Sequence, residues 1–292
     1  MYKECNLGDN DLTYAQFEHN FKAGLQDFYR HPMNYKLDAF QIFGNLYYVG
    51  DKKVCMHLIN TGDGLILFDS GYGNTLHMIL ASIRSLGFHP EHLRYIIHSH
   101  GHYDHFGSGE DLRRLYSCKI FMSKADTDML RKSPQSALIE WGPHPYDQIC
   151  WPDVELEDDE VISLGNTKIR CVLTPGHTIG TMTFFFDVTD GDNTLRVGYF
   201  GGAGFMTMYQ DYCKQFNLPL DLNKKMRESI KRVWPEHVDI MLGNHPSQNC
   251  TLEKRAWMIE HPDTNPFINP KAWHIFLKTL EERSLNFEKK GF

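Results

Sequence analysis

The sequence predicts an α/β domain. Two observations carry this: strand-like apolar runs alternate with helix-period runs along the chain, and Gly or Asp turns punctuate them. A third places the chemistry, since an apolar run ends in the stretch IIHSHGHYDHFG, Ile96 to Gly107, with four histidines. No internal repeat, low-complexity tract or flexible linker breaks the 292 residues, of which 41% are hydrophobic, so one large core is expected.

In chain order, residues 1–38 hold Phe17, Phe21, Leu25, Phe28 and Tyr29 near helical spacing. They predict an N-terminal helical extension packed on a domain spanning 39–292, a helix that lines a cleft or subunit contact being the alternative. Phe40–Gly50, Val54–Thr61 and Gly64–Gly71 read as antiparallel strands, followed by a helix from Asn74 to Leu86 with Asn74 as N-cap and Gly87 as stop. The strand Leu93–Ile97 then leads into the histidines. In the second half, Asp159–Gly165, Thr167–Thr174, Thr181–Val188, Thr194–Gly202 and Val238–His245 read as strands or strand ends, and the acidic run Glu155–Glu160 as a solvated turn. Asn269–Pro270 starts a last helix with Trp273, Phe276, Leu277 and Leu280 on one face.

A net charge of -7 leaves no electrostatic footprint for nucleic acid or an anionic membrane, which points to a small-molecule substrate. No window approaches eighteen apolar residues, and MYKECNLGDNDL lacks the marks of an export signal. The expectation is a cytoplasmic protein, or a periplasmic or secreted one if such a signal has been removed. Seven cysteines without a CxxC pair read as free thiols in a reducing compartment, none of them a metal ligand. Nothing in the sequence sets an oligomeric state.

His100, His102, Asp104 and His105 stand where a strand gives way to a loop, and imidazole with carboxylate suits zinc. A zinc that works on water keeps an open position beside three protein ligands, so this cluster alone hardly closes two sites. Further candidates are His177 in VLTPGHTIGT and His245 in DIMLGNHPS, each after an apolar run and a turn.

The HxHxDH run, TPGHTIG, LFDSG and GNHP together resemble the metallo-β-lactamase superfamily. FQIFGNLYYVG, SHGHYDHFG, TPGHTIGTMTF and EKRAWMIEHPDTNPFINPKAW extend the resemblance to the third, all-histidine subclass of metallo-β-lactamases. It implies an αββα sandwich, two packed mixed β-sheets with helices on the outer faces. It implies two zinc ions, the first on His100, His102 and His177 and the second on Asp104, His105 and His245. Asp104 would also act catalytically by orienting a metal-bound hydroxide that opens a cyclic amide, as in antibiotic resistance. Asp69 would support the histidine loop through hydrogen bonds, and His98 has no ligand role, reading as a packed or surface histidine. A lactonase or other small amide or ester hydrolase is the alternative on the same site. An iron redox protein is a weaker one, because that branch carries Glu where this chain has His102. Gly202 stands where many hydrolytic members carry a bridging aspartate, and YFGGAG lacks the carboxylate-binding serine usual in the subclass. Trp141, Tyr146 and Trp151, on a Pro- and Gly-rich loop, together with Gly202, are the candidate substrate-pocket residues.

Overall fold

The computed structural model describes residues 12–143 and 148–291. One sheet runs in order β1 (Phe40–Phe43), β2 (Leu46–Tyr48), β3 (His57–Asn60), β4 (Leu65–Phe68), β5 (Leu93–Ile97), β6 (Lys119–Ser123) and β7 (Val154–Leu156). Its first four strands are antiparallel, and β4 to β7 pair in parallel. The second sheet contains β8 (Glu160–Leu164), β9 (Thr167–Leu173), β10 (Met182–Asp190), β11 (Asn193–Phe200) and β12 (Ile240–Gly243), antiparallel except for the β11–β12 pair. Both sheets are mixed.

Every residue of β4 and β12 is buried, as apolar runs without polar alternation require when both sheet faces are covered. Between the sheets Phe68 stacks on Phe186 with centroids 5.3 Å apart and meets Phe184 and Tyr199. The outer faces are covered by helices. Ile79 and Ile83 of Leu76–Ser85 and Leu112 of Gly109–Tyr116 join Leu65, Leu67 and Ile96, while Met226, Ile230, Trp273 and Leu277 extend the same core over Val172, Phe185 and Phe200. The result is an αββα sandwich.

The N-terminal helix Tyr14–Arg30 starts from a capping box, in which the Thr13 hydroxyl accepts from the Gln16 N–H and the Gln16 side chain accepts from Thr13 N–H. Its buried Leu25, Phe28 and Tyr29 dock on Tyr72 and the outer core.

Several local expectations differ from the structure. The run Phe40–Gly50 is a hairpin rather than one strand, because Gly44 adopts φ +50° and passes so near β10 that a Cβ there would meet the Thr189 carbonyl at 2.0 Å. Asn74 does not cap the following helix; it lies in a 3-10 turn, and the α-helix starts at Leu76 without a side-chain cap. Asn269 instead folds an Asx turn onto Lys271 N–H before the helix Ala272–Lys289. The acidic run is partly strand, with Glu155 in β7 and Glu160 opening β8, while Asp158 and Asp159 face Arg232. Cys55, Cys118, Cys150, Cys171 and Cys213 are free and buried, but Cys250 is disulfide-bonded, so the expectation of seven free thiols fails there.

Candidate metal centre

Strand ends build the site. β4 and β5, being parallel, deliver Asp69 and the His98–His102 segment to one edge of their sheet. His102 leads into the single helical turn Tyr103–Phe106, which carries Asp104 and His105. The second sheet adds His177 after β9 and His245 after β12.

Three ring nitrogens converge first. His102 Nδ1 lies 2.9 Å from His100 Nε2 and 3.0 Å from His177 Nε2, with all three residues buried. The opposite nitrogens of two rings are already used: His100 Nδ1–H donates to the Gly201 carbonyl and His177 Nδ1–H to the Gly204 carbonyl, each at 2.8 Å. These tautomers turn the Nε2 lone pairs of His100 and His177 toward His102 Nδ1, where one proton or one cation can be shared among the three rings. Tetrahedral zinc with Zn–N bonds of about 2.0–2.1 Å requires nitrogens about 3.4 Å apart, so a small inward-to-outward adjustment of the rings accommodates it. Burial and the neighbouring imidazoles hold His100 and His102 well below the ordinary histidine pKa; burial brings His177 to about 4. All three are neutral donors at neutral pH.

Beside them, Asp104 Oδ2 stands 3.2 Å from His105 Nε2 and 3.5 Å from His245 Nε2. His245 Nδ1–H donates to the Lys53 carbonyl at 2.8 Å, and His105 Nδ1–H to Asp69 Oδ2 at 2.9 Å, so both Nε2 atoms again face inward. His100 is also within ligand reach of Asp104 and His105, but its Nε2 belongs to the first group. Burial acts to raise Asp104, yet His105, His245 and His102 outweigh it and hold the carboxylate far below its ordinary range. Burial also pulls His105 down, but Asp104 and Asp69 on either side of its ring push it up to about 10. The donor set, three imidazoles in one group and two imidazoles with a carboxylate in the other, suits zinc.

Asp69 ties the loop together. Buried at φ +57°, it accepts from Ser99 N–H at 2.7 Å, Ser99 Oγ at 2.9 Å, Tyr199 Oη at 2.6 Å and His105. Asp126, which sequence reasoning missed, does the same from the other side, accepting from Gly101 N–H, Gly180 N–H and Thr178 Oγ1, each at 2.7 Å. It thereby joins the His100–His102 loop to the turn that holds His177. Burial, opposed by those hydrogen bonds, raises the Asp126 carboxyl to about 6. Sequence reasoning also missed Tyr199 and Asn244, whose amide bridges to the Gly201 carbonyl at 2.7 Å. None of the three carries a local signal, since Asp126 sits in an ordinary helix start after the N-cap Ser123. His98 is buried away from the converging nitrogens, its Nε2 3.1 Å from Ser70 Oγ.

A cleft of about 260 Å³ opens onto His102, Asp104, His177 and His245. Phe17, Phe21 and Leu25 of the N-terminal helix form one wall, and Tyr72, Leu138, Met206 and Arg283 contribute others.

Residues 50–190 match the family profile of the metallo-beta-lactamase superfamily. That segment, somewhat under half of the chain, is similar to the superfamily. Among curated proteins, a probable polyketide biosynthesis zinc-dependent hydrolase, PksB of Bacillus subtilis, is 31% identical over 108 residues, 36% of this chain and 41% of that one. The match thus spans less than half of PksB. The native FEZ-1 metallo-beta-lactamase from Legionella gormanii superposes with a TM-score of 0.77 at 26% identity, over 88% of this chain and 97% of that one. BJP-1, a subclass B3 metallo-beta-lactamase of Bradyrhizobium japonicum, gives 0.76 at 24% identity over 88% and 94%, and shares the fold.

Within the metallo-β-lactamase fold, the expected pocket residues lie apart from this cleft. Trp141 is buried against Phe21 with centroids 5.5 Å apart, an anchor for its own loop. Trp151 is 40% exposed and lines a separate depression with Glu110 and Arg113. Tyr146 lies outside the described residues. Gly202 backs the His177 ring instead of facing a ligand: a Cβ there would stand 2.8 Å from His177 Cδ2, so no bridging aspartate fits without moving that ring. The apolar wall comes from the N-terminal helix.

Proposed function

We propose that this chain is a dinuclear zinc hydrolase of the β-lactamase-like kind, cleaving a cyclic amide. One observation carries the reading: two adjacent triads of donor atoms converge, and four of their five rings have the opposite nitrogen fixed by a carbonyl or carboxylate. His100, His102 and His177 would hold one ion and Asp104, His105 and His245 the other. Zinc, when bound, supplies a Lewis acid for a carbonyl and lowers the pKa of water toward about 7. Asp104, held ionised, accepts the hydrogen bond of the attacking water and so fixes its orientation. Asp69 and Asp126 keep the ligand loop in place. Water is restricted by Phe17, Phe21 and Leu25 over the cleft.

An ester or lactone on the same centre is the second reading, favoured by the absence of any hydroxyl or amide side chain in Gly201–Gly204, the segment beside His177. The PksB likeness supports zinc-dependent hydrolysis without selecting the substrate. The substrate is a small molecule in both readings.

The test is hydrolysis of a chromogenic cephalosporin by the zinc-reconstituted protein. Turnover abolished by a chelator and restored by zinc supports the lactam reading and warrants assays of antibiotic protection in cells. Turnover of a homoserine lactone or aryl ester but not the cephalosporin moves the substrate to the second reading. Zinc-loaded protein inert on all three classes contradicts both.

A further inference from the structure

Two groups compete for the ring proton of His245. Its Nδ1–H donates to the Lys53 carbonyl at 2.8 Å, while its Nε2 stands 3.5 Å from Asp104 Oδ2, a carboxylate that attracts a proton to that second nitrogen. Only with the proton on Nδ1 does Nε2 keep the lone pair that a metal takes. The outcome depends on how firmly the Lys53 carbonyl is aimed.

That carbonyl belongs to the turn 50–54, between β2 and β3. Asp51 builds the turn. Its Oδ1 accepts from Lys53 N–H at 2.6 Å and from Val54 N–H at 2.8 Å, and its own N–H donates to the Val54 carbonyl at 3.1 Å. The Lys53 carbonyl and Val54 N–H are the two ends of one planar trans peptide unit, so a bond that fixes the N–H aims the carbonyl the opposite way. The turn is anchored on three sides. Tyr48 Oη donates to the Asp51 carbonyl at 2.6 Å, Lys52 N–H to the Tyr35 carbonyl at 2.9 Å, and Cys55 N–H to the carbonyl of Asn244, the residue before His245, at 2.9 Å. Asp51 is 1% exposed, and among the described residues no donor reaches its Oδ2. Burial lifts the carboxyl to about 6 against the pull of Val54 and Lys53 N–H, so the charge burdens the turn and the single acceptor Oδ1 is what holds it.

We propose that Asp51 is a positioning residue for His245: by holding the Lys53–Val54 peptide it points the Lys53 carbonyl at Nδ1, and so fixes both the tautomer and the orientation of the ring. The use of His245 as a metal ligand rests on the dinuclear reading above; its tautomer does not. Asp51 follows β2 of the first sheet and His245 follows β12 of the second, so this one bond also joins the two sheets beside the donor centre.

The experiment reads the tautomer of His245 in the metal-free full chain by long-range proton–nitrogen NMR on histidine-labelled protein, with the His245 signal assigned by its loss in His245→Gln. Wild type and Asp51→Asn, which keeps the Oδ1 acceptor, carry the proton on Nδ1. In Asp51→Ala the proton is shared between the two nitrogens. Zinc titration against a chromophoric chelator follows on the same samples: Asp51→Ala weakens one bound ion by about 10–100-fold and leaves the other within about twofold, and Asp51→Asn restores the wild-type affinity. Melting in chelator identifies the folded variants. If the alanine variant does not fold, Asp51→Ser replaces it, because its hydroxyl holds such a turn more weakly and gives an intermediate tautomer ratio. A folded Asp51→Ala or Asp51→Ser with the wild-type tautomer overturns the inference, and so does an Asp51→Asn that behaves like alanine, since the charge and not the turn would then be what acts. The expected tautomers in a wild type that binds no zinc leave the inference standing and sink the metal reading alone.

Discussion

Replacing Asp69 by asparagine keeps the shape of the side chain while removing its charge and turning one acceptor into a donor. Asp69 adopts φ +57°, which asparagine tolerates better than most residues, so the variant carries little added backbone strain. The consequence falls on Oδ2, which takes three donors: Ser99 Oγ, Tyr199 Oη and His105 Nδ1–H. Hydroxyls can reverse and accept from the new amide, but His105 Nδ1–H cannot. Either protonated His105 loses one of its two carboxylate partners in a buried site, or, on giving up a proton as it must to bind metal, its neutral ring keeps the remaining proton on Nε2, the atom that faces Asp104. Rotating the amide only transfers the mismatch to Ser99 N–H, which now donates to Oδ1. One charge-assisted hydrogen bond lost and one donor left buried together cost about 3–5 kcal/mol of stability in the metal-free protein. The wrong tautomer would weaken zinc at the Asp104–His105–His245 group by about 10–100-fold. Urea unfolding in the presence of chelator measures the first, and competition with a chromophoric chelator the second. An Asp69→Asn protein within about 1 kcal/mol of wild type, with both zinc affinities unchanged within about twofold, would refute the reasoning.

Gly202→Ala should drive the His177 ring off its position, because the new Cβ stands 2.8 Å from Cδ2; the expected result is weaker zinc at the first group with turnover reduced about tenfold or more, and unaltered zinc binding counts against the packing argument. His98→Ala should cost roughly 2–3 kcal/mol in urea unfolding, by removing a buried ring and its Ser70 partner, while zinc content stays at the wild-type value; loss of zinc would make His98 a ligand. Burial, outweighing the pull of Asp69, lowers His57 from 6.5 to about 4. Because the unfolded chain protonates first, the stability given by this neutral ring is present above pH 6.5 and lost as pH falls toward 4. His57→Gln should therefore flatten the acid limb of stability against pH by roughly 1 kcal/mol per pH unit relative to wild type, and parallel limbs would contradict the assignment.

What could be read in advance followed from local chemistry. His100, His102, Asp104 and His105 share one short loop, and the runs before His177 and His245 end in turns, so residue type and spacing marked all six. Strand pairing was less legible. The split of Phe40–Gly50 at Gly44 depends on contact with Thr189 across the sandwich, and β6 and β7 are short runs beside helix and acidic segments whose strand character comes from parallel pairing. The loop aromatics misled because aromatic content does not distinguish anchoring from ligand contact: Trp141 packs on Phe21 and Trp151 lines another depression. The cleft wall came instead from Phe17, Phe21 and Leu25, whose helical spacing was plain but whose destination was not. Asp126 and Tyr199 were invisible for the same reason, their roles existing only once Gly101, Thr178, Gly180 and Asp69 are brought to them.

The most direct measurement is zinc per chain, by elemental analysis after reconstitution and dialysis, for wild type, His177→Ala and His245→Ala, with turnover recorded on the same samples. The account predicts two ions in the wild type and one in each variant, with turnover in His177→Ala reduced by several orders of magnitude. Full zinc content and full activity in His177→Ala, or a wild type that holds a single ion, would contradict it.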